Sequence, residues 1–276
     1  MGPTSEGTMK LSLQTRITLA NGVRMPLFGL GTWAATGKAG RQAVIWALEA
    51  GYRLIDTASS YGNESEVGEA VRESGLRRSE IFITTKVWPA EFGYETTLRA
   101  FEASRRRLDL EQIDLYLLHW PGDDPHQRAE SWRALETLLL DGRCRAVGVS
   151  NFMVPELEEI IVEGKGGLVP AVNQVPFSPF DQQRDVHAFC RSHGICLEGY
   201  SPLTRGAKLG ERTTRSLAKA HGRTPAQIML RWALQKEVVT IPKSVHKERI
   251  FENAAVFDFS LSPEDLAALD VLDAAG

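Results

Sequence analysis

Four side chains of different chemistry stand just past short apolar runs in this chain: a carboxylate at Asp56, a phenol at Tyr61, an ammonium at Lys86 and an imidazole at His119. A free tyrosine has a pKa of about 10 and is a poor proton donor near neutrality. A lysine beside it favours the phenolate and moves that pKa down toward working pH. An aspartate next to the lysine keeps the ammonium charged and in place. A histidine beside the phenol can hydrogen-bond a substrate oxygen and orient a carbonyl. Together the four are suited to giving a proton to an oxygen as negative charge develops on it, as when hydride reaches a carbonyl carbon. No side chain supplies hydride, so this chemistry requires a nicotinamide cofactor. Taken singly, Asp56 could equally cap a helix or close a turn, and Tyr61 could simply pack.

Groups so far apart in sequence need a scaffold that gathers them. Eight apolar runs read as strands, at 27–32, 52–57, 81–86, 113–119, 145–151, 170–175, 196–201 and 238–242. Amphipathic stretches of helical length lie between them, such as 41–50, 95–108, 129–140, 184–193 and 225–235. Apolar strands alternating with helices argue for an all-parallel sheet covered by helices, and eight such units close into a (β/α)₈ TIM barrel. The C-terminal ends of the runs carry, in order, Trp33, Asp56 with Tyr61, Lys86, His119, Ser150-Asn151, Gln174, Tyr200-Ser201 and Lys243-Ser244. A barrel enzyme concentrates polar groups at that mouth because only that face carries the βα loops. Upstream, 15–19 and 23–25 flank Asn21-Gly22, the pair a tight type I′ turn prefers. This predicts an N-terminal hairpin that closes the bottom of the barrel. No linker or shift in composition divides the chain, so 10–276 are expected as a single domain after a disordered lead-in at 1–9.

Composition removes several function classes. A net charge of −3 gives no electrostatic footprint for nucleic acid or an anionic membrane. No apolar run approaches the roughly 20 residues that cross a bilayer. Cys144, Cys190 and Cys196 lack C-x-x-C spacing and suit free thiols in a reducing compartment, so a cytoplasmic protein is expected; nothing suggests an obligate interface, so a monomer is the default expectation. None of the histidines makes H-x-H at a strand end or H-E-x-x-H, so no metal is expected.

Where, then, would the cofactor sit? GLGTWA at 29–34 matches G-x-G-x-x-A with Asp56 further on. A dinucleotide fingerprint needs its third small residue inside the first turn of a helix. Here 36–40 (TGKAG) is expected to prolong the loop, and Trp33 would crowd a pyrophosphate. The glycines are read instead as easing packing at the barrel mouth. IPKSVHKERIFEN at 241–253 is the better seat. Pro242 ends a strand, and Ser244 is expected to N-cap a helix running through Arg249, Ile250 and Asn253. Lys243, Lys247 and Arg249 crowd that helix start, where exposed cations oppose the macrodipole by roughly 0.3–1 kcal/mol each. A phosphate there reverses the sign, because backbone N–H groups, Ser244, Lys243 and Arg249 would converge on it. A phosphate separate from the pyrophosphate distinguishes NADP from NAD.

The motifs GYRLIDTASSYGNE, ITTKVW, IDLYLLHWP, VGVSNF, VNQ, YSPL and IPKSV…R…EN, in that order over nearly the whole chain, resemble the aldo-keto reductase family. The resemblance implies a (β/α)₈ barrel that binds NADPH in extended form and reduces aldehydes and ketones. Tyr61 would be the general acid, Lys86 and Asp56 the groups that lower its pKa, and His119 the group that orients the carbonyl. Ser150, Asn151 and Gln174 would hold the carboxamide, and Tyr200 would stack on the nicotinamide. Ser201 and Leu203 would begin a strap over the pyrophosphate, with Arg205 and Lys208 as phosphate partners. Lys243, Ser244, Val245 and Arg249 match the 2′-phosphate positions, and Asn253 an adenine contact. Trp33, Trp88 and Trp120 are expected to line the carbonyl pocket. Two departures stand out: VNQ runs into Val175-Pro176-Phe177-Ser178-Pro179, and Thr204 replaces a usual glycine after Ser201-Pro202-Leu203. The short C-terminal tail is similar to the compact microbial type, of the 2,5-diketo-D-gluconate, glyoxal and methylglyoxal reductase kinds. An NADPH-binding barrel serving as a redox-sensing or regulatory subunit is the alternative.

Overall fold

The computed structural model describes residues 11–163 and 168–273, so the lead-in expected at 1–9 lies outside the described residues. Strands β1 (Arg16–Thr18) and β2 (Arg24–Pro26) pair antiparallel. The barrel strands are β3 (Leu30–Gly31), β4 (Leu54–Asp56), β5 (Phe82–Val87), β6 (Ile113–Leu118), β7 (Cys144–Ser150), β8 (Val172–Pro176), β9 (Cys196–Tyr200) and β10 (Val239–Ile241). All neighbours pair in parallel in sequence order. A parallel bridge from Phe28 to Thr240 joins the two ends, with Gly29 N–H donating to the Thr240 carbonyl at 3.0 Å and Thr240 N–H to the Leu27 carbonyl at 3.0 Å. The eight strands therefore form a closed TIM barrel. β5 and β6 are buried along their whole length, as expected of strands with the barrel interior on one face and helices on the other.

The hairpin lies across the N-terminal end. Asn21 Nδ2 donates to the Arg145 carbonyl at 2.9 Å, near the start of β7, and Arg16 reaches the Glu80 carbonyl just ahead of β5. Its turn is not the expected type I′, which needs positive φ at two residues. Gly22 alone is left-handed (φ 82°), and its N–H donates back to the Leu19 carbonyl at 2.8 Å. A three-residue loop closed by a left-handed glycine is the result, with Asn21 freed to bind β7.

Helices follow the strands, and their starts are chemically marked. Asp124 accepts from the backbone of His126 and Gln127 ahead of Pro125–Leu140, and Thr224 forms a capping box with Gln227 ahead of Pro225–Gln235. The first barrel helix begins at Gly37, not after the expected loop at 36–40. Gly40 lets that early turn form, since a Cβ there would meet the Ala35 carbonyl at 2.1 Å. The nucleotide fingerprint still fails: Ala34 sits in a turn with φ 54°, ahead of the helix. Gly31 instead allows β3 to approach β10, where a Cβ would lie 3.0 Å from the Ile241 carbonyl. No helix among the described residues is long and apolar enough to cross a membrane.

Candidate active site

Lys86 is the centre of the barrel mouth. Its ammonium is fully buried and donates to both Asp56 oxygens at 2.8 Å and to the Thr57 carbonyl at 2.9 Å. The Tyr61 hydroxyl lies 3.5 Å from Nζ, a long contact, and the ammonium stands 5.0 Å from the phenol ring centroid. Lys86 and Asp56 meet because their strands are neighbours and both residues lie at the C-terminal ends. Tyr61 ends a single helical turn, Ser59–Tyr61, that follows β4. Asn63 fixes that turn from behind. Its Nδ2 donates to the Thr32 and Ala35 carbonyls, each at 2.9 Å, while its Oδ1 accepts from Thr57 Oγ1 at 2.6 Å. His119 completes the group, edge-on to Tyr61 at 5.5 Å and to Trp88 at 5.1 Å between ring centroids.

Burial governs the proton affinities here. Desolvation pulls the Lys86 ammonium down, but the charges of Asp56 and Tyr61 outweigh it and leave its pKa raised. Desolvation pushes the Asp56 carboxyl up against the pull of the same lysine. With Nζ bonded to both carboxylate oxygens, the shared proton sits on nitrogen and the pair is zwitterionic. For Tyr61 the expectation needs correcting. Lys86 does lower the phenol, but burial raises it more, Asp56 raises it too, and the net shift is upward. The phenol thus holds its proton near neutrality. Burial, helped by Lys86, drives His119 down to about 3, so its imidazole is neutral.

A cavity of about 980 Å³ opens over these groups. It is lined by Asp56, Tyr61 and His119, by Ser150, Asn151, Gln174, Tyr200, Ser201, Leu203 and Arg205, and by Lys243, Ser244, Arg249 and Asn253. The structure thus brings most of the sequence-derived candidates to one mouth. Trp33, Trp88 and Trp120 line it as well, and exposures of 51%, 40% and 43% make them walls and not core. Ser150 Oγ donates to the Gln174 carbonyl at 2.8 Å. Asn151, held at φ 63°, donates to the His119 carbonyl and accepts from the Tyr200 hydroxyl at 2.8 Å, which anchors that ring.

Lys86 lies buried beneath the lining, and two further candidates fall away from it. The Lys208 ammonium lies 5.5 Å over the Phe180 ring, and Val245 packs against the hydrophobic core. Ser244 is not the helix cap. That position is His246, and Ser244 Oγ accepts from His246 N–H at 3.1 Å ahead of the Lys247–Ala254 helix. Lys243 and Arg249 are exposed and make no ion pair among the described residues. At the strap, Thr204 (φ 49°) and Arg205 (φ 53°) are both left-handed, an uncommon state for a β-branched residue. Lys208 N–H donates to Thr204 Oγ1 at 3.1 Å, and the Arg205 guanidinium lies 4.7 Å over the Trp33 ring.

Sequence reasoning missed Glu198. It is fully buried on β9 and accepts from Gln174 Nε2 at 2.9 Å, while the same nitrogen donates to Asp56 Oδ2 at 2.8 Å. The signal was present: a lone carboxylate in the otherwise uncharged run 196–200, two residues before Tyr200 and so on the same strand face.

The model of the aldo/keto reductase family matches residues 28–274. Among curated relatives, the glyoxal reductase of Bacillus subtilis is 48% identical over 266 residues, covering 96% of this chain and 95% of the relative. The methylglyoxal reductase DkgA of Yersinia pestis is 43% identical over 265 residues, covering 95% and 94%. Among solved structures, a mutant of Gox0644 in complex with NADPH superposes with a TM-score of 0.89 at 41% identity, covering 94% of each chain.

Proposed function

The chain belongs to the aldo/keto reductase family of NADP-dependent oxidoreductases, and from that premise we propose that it reduces small α-oxo aldehydes and related carbonyls with Tyr61 as the general acid. The observation that carries this reading is the buried ammonium of Lys86, shared between Asp56 and the Tyr61 hydroxyl at the base of a cavity whose far side holds cations unpaired among the described residues. The donor set fits NADPH. Lys243 and Arg249 offer uncompensated positive charge for a 2′-phosphate, and Ser150, Asn151 and Gln174 offer polar groups for a carboxamide. Tyr200, tethered by Asn151, offers a ring face. When bound, the cofactor supplies hydride to the carbonyl carbon.

The chain's own groups then handle the oxygen. His119, neutral and with one ring N–H to donate, orients the carbonyl without adding a competing charge. Tyr61 gives the proton on Oη to the oxygen as its negative charge grows. Lys86, 3.5 Å away, stabilises the phenolate left behind, and Asp56 prevents the ammonium from losing its own proton. The three tryptophans keep water from the carbonyl and give flat apolar walls that suit short substrates. The names of the glyoxal and methylglyoxal reductases it resembles support the same substrate class.

The test is a panel of small aldehydes, ketoaldehydes and keto sugars, with loss of NADPH followed by nicotinamide absorbance. Turnover with the ketoaldehydes is expected. Tight NADPH binding with no turnover across the panel would overturn the enzymatic reading in favour of a sensing subunit.

A further inference from the structure

Beneath the proposed nicotinamide contacts lies an acid that the mechanism above does not use. Glu198 is completely buried, and only one of its oxygens is satisfied: Oε2 accepts from Gln174, while Oε1 has no partner among the described residues. The groups facing it come from five elements. β4 presents Asp56, β5 presents Lys86, and the turn after β4 presents Tyr61. β8 presents the uncharged Gln174, and β10 presents Val239 in register. On its own strand the nearest titratable groups are Cys196 and Tyr200. Lys86 is already neutralised by Asp56, so it is no spare cation for a second carboxylate.

We propose that Glu198 senses the charge of the nicotinamide ring, keeping its carboxyl proton when the ring is neutral and releasing it to solvent when the ring is cationic. This rests on reading Gln174 as a cofactor contact. A single carboxamide nitrogen bonds both Asp56 and Glu198, so whatever docks on Gln174 sits one residue from each acid. With NADPH the interior would hold an orphaned carboxylate, and protonation removes that cost. With NADP⁺ a cation arrives in low dielectric and stabilises the carboxylate form. Only an O–H bond breaks; its electron pair stays on the carboxylate oxygen and the proton goes to water. Burial and the Asp56 charge push the free Glu198 carboxyl up to about 8, so the switch lies within reach of ordinary pH. The sign follows. NADP⁺ prefers the deprotonated form, so its affinity rises as pH approaches about 8 from below, while NADPH affinity does not.

The measurement is the dissociation constant of each cofactor form, from quenching of protein fluorescence, between about pH 6 and about pH 9, the span that brackets the buried acid. The ratio of NADP⁺ to NADPH constants cancels the shared phosphate contacts. In the wild type it should fall about tenfold across this range, the effect of one unit of coupling. Glu198→Gln, which preserves shape and cannot titrate, should hold the ratio flat. Tyr61→Phe should keep the slope. A flat wild-type ratio overturns the proposal, and so does a slope lost in Tyr61→Phe but kept in Glu198→Gln, which would assign the proton to the phenol. If Glu198→Gln does not fold, proton release into weakly buffered Tyr61→Phe decides: release with NADP⁺ but not NADPH upholds the proposal, and none overturns it. Failure of both forms to bind would instead remove the cofactor reading, and this inference with it.

Discussion

Asp56 and Asp114 are both buried carboxylates of the barrel strands, one at the C-terminal end of β4 and the other near the N-terminal end of β6. They are satisfied in opposite ways. Asp114 is clamped by Arg78 at 2.5 Å and Arg145 at 2.6 Å, and also accepts from the Ile83 N–H at 2.9 Å. Both guanidiniums keep about a third of their surface in water (35% and 37%), so charge is in surplus and its desolvation is incomplete. Asp56 has a single cation, and that cation is wholly buried. Lys86 spends two directions on Asp56 and Thr57 and leaves only a long contact for Tyr61. The lower cluster ties strands together and is saturated. The upper one is held just short of saturation, with the phenol in the remaining place.

Removing partners should separate the two clusters. Lys86→Met should cost most, abolishing measurable turnover and destabilising the fold by about 3–5 kcal/mol, because it strands a buried carboxylate. Denaturant unfolding and steady-state kinetics check the two effects separately. Tyr61→Phe should lose about 10²–10⁴ in kcat with NADPH affinity and stability intact, since its proton matters only in the transition state. Asp114→Asn should reverse the pattern, losing about 1–3 kcal/mol of stability with kcat within about twofold. A kcat loss of tetrad size in that variant would erase the contrast between the two clusters. Arg249→Ala should weaken NADPH about tenfold and NADH hardly at all, as measured by fluorescence titration. Near neutrality the smallest effect is on pH. Folding depresses the His119 pKa from 6.5 to about 3, so the stability tied to its neutral form is fully present above about 6.5 and is lost as pH falls toward 3. His119→Gln should flatten that part of the Tm profile.

The strands and the reactive groups were legible because both leave local marks. Apolar runs of strand length recur, and each delivers a polar residue at the same end; Asp56, Lys86 and Gln174 are visible for that reason. Positions decided by tertiary contact were not. Gly37 starts a helix only because Gly40 can touch the Ala35 carbonyl, and Asn21 leaves the expected turn conformation to reach Arg145. The direction of the Tyr61 shift depends on how deeply the ring is buried, which no spacing rule encodes. Lys208 shows the same limit, since its neighbour in sequence is the strap and its neighbour in space is Phe180.

Asn63 has a consequence for how such a catalyst can diversify. By bonding the carbonyls of Thr32 and Ala35 and the hydroxyl of Thr57, it seats the turn that bears the phenol on two main-chain carbonyls of the loop after β3 and a side-chain hydroxyl of the loop after β4. Trp33 shares the loop that Asn63 bonds, but Trp88 and Trp120 are mounted elsewhere, on the separate segments that follow β5 and β6. Exchanging Trp120 for a smaller or polar residue can therefore re-cut the opening for another guest while the proton-handling parts stay in register, whereas Trp88 also packs edge-on against His119.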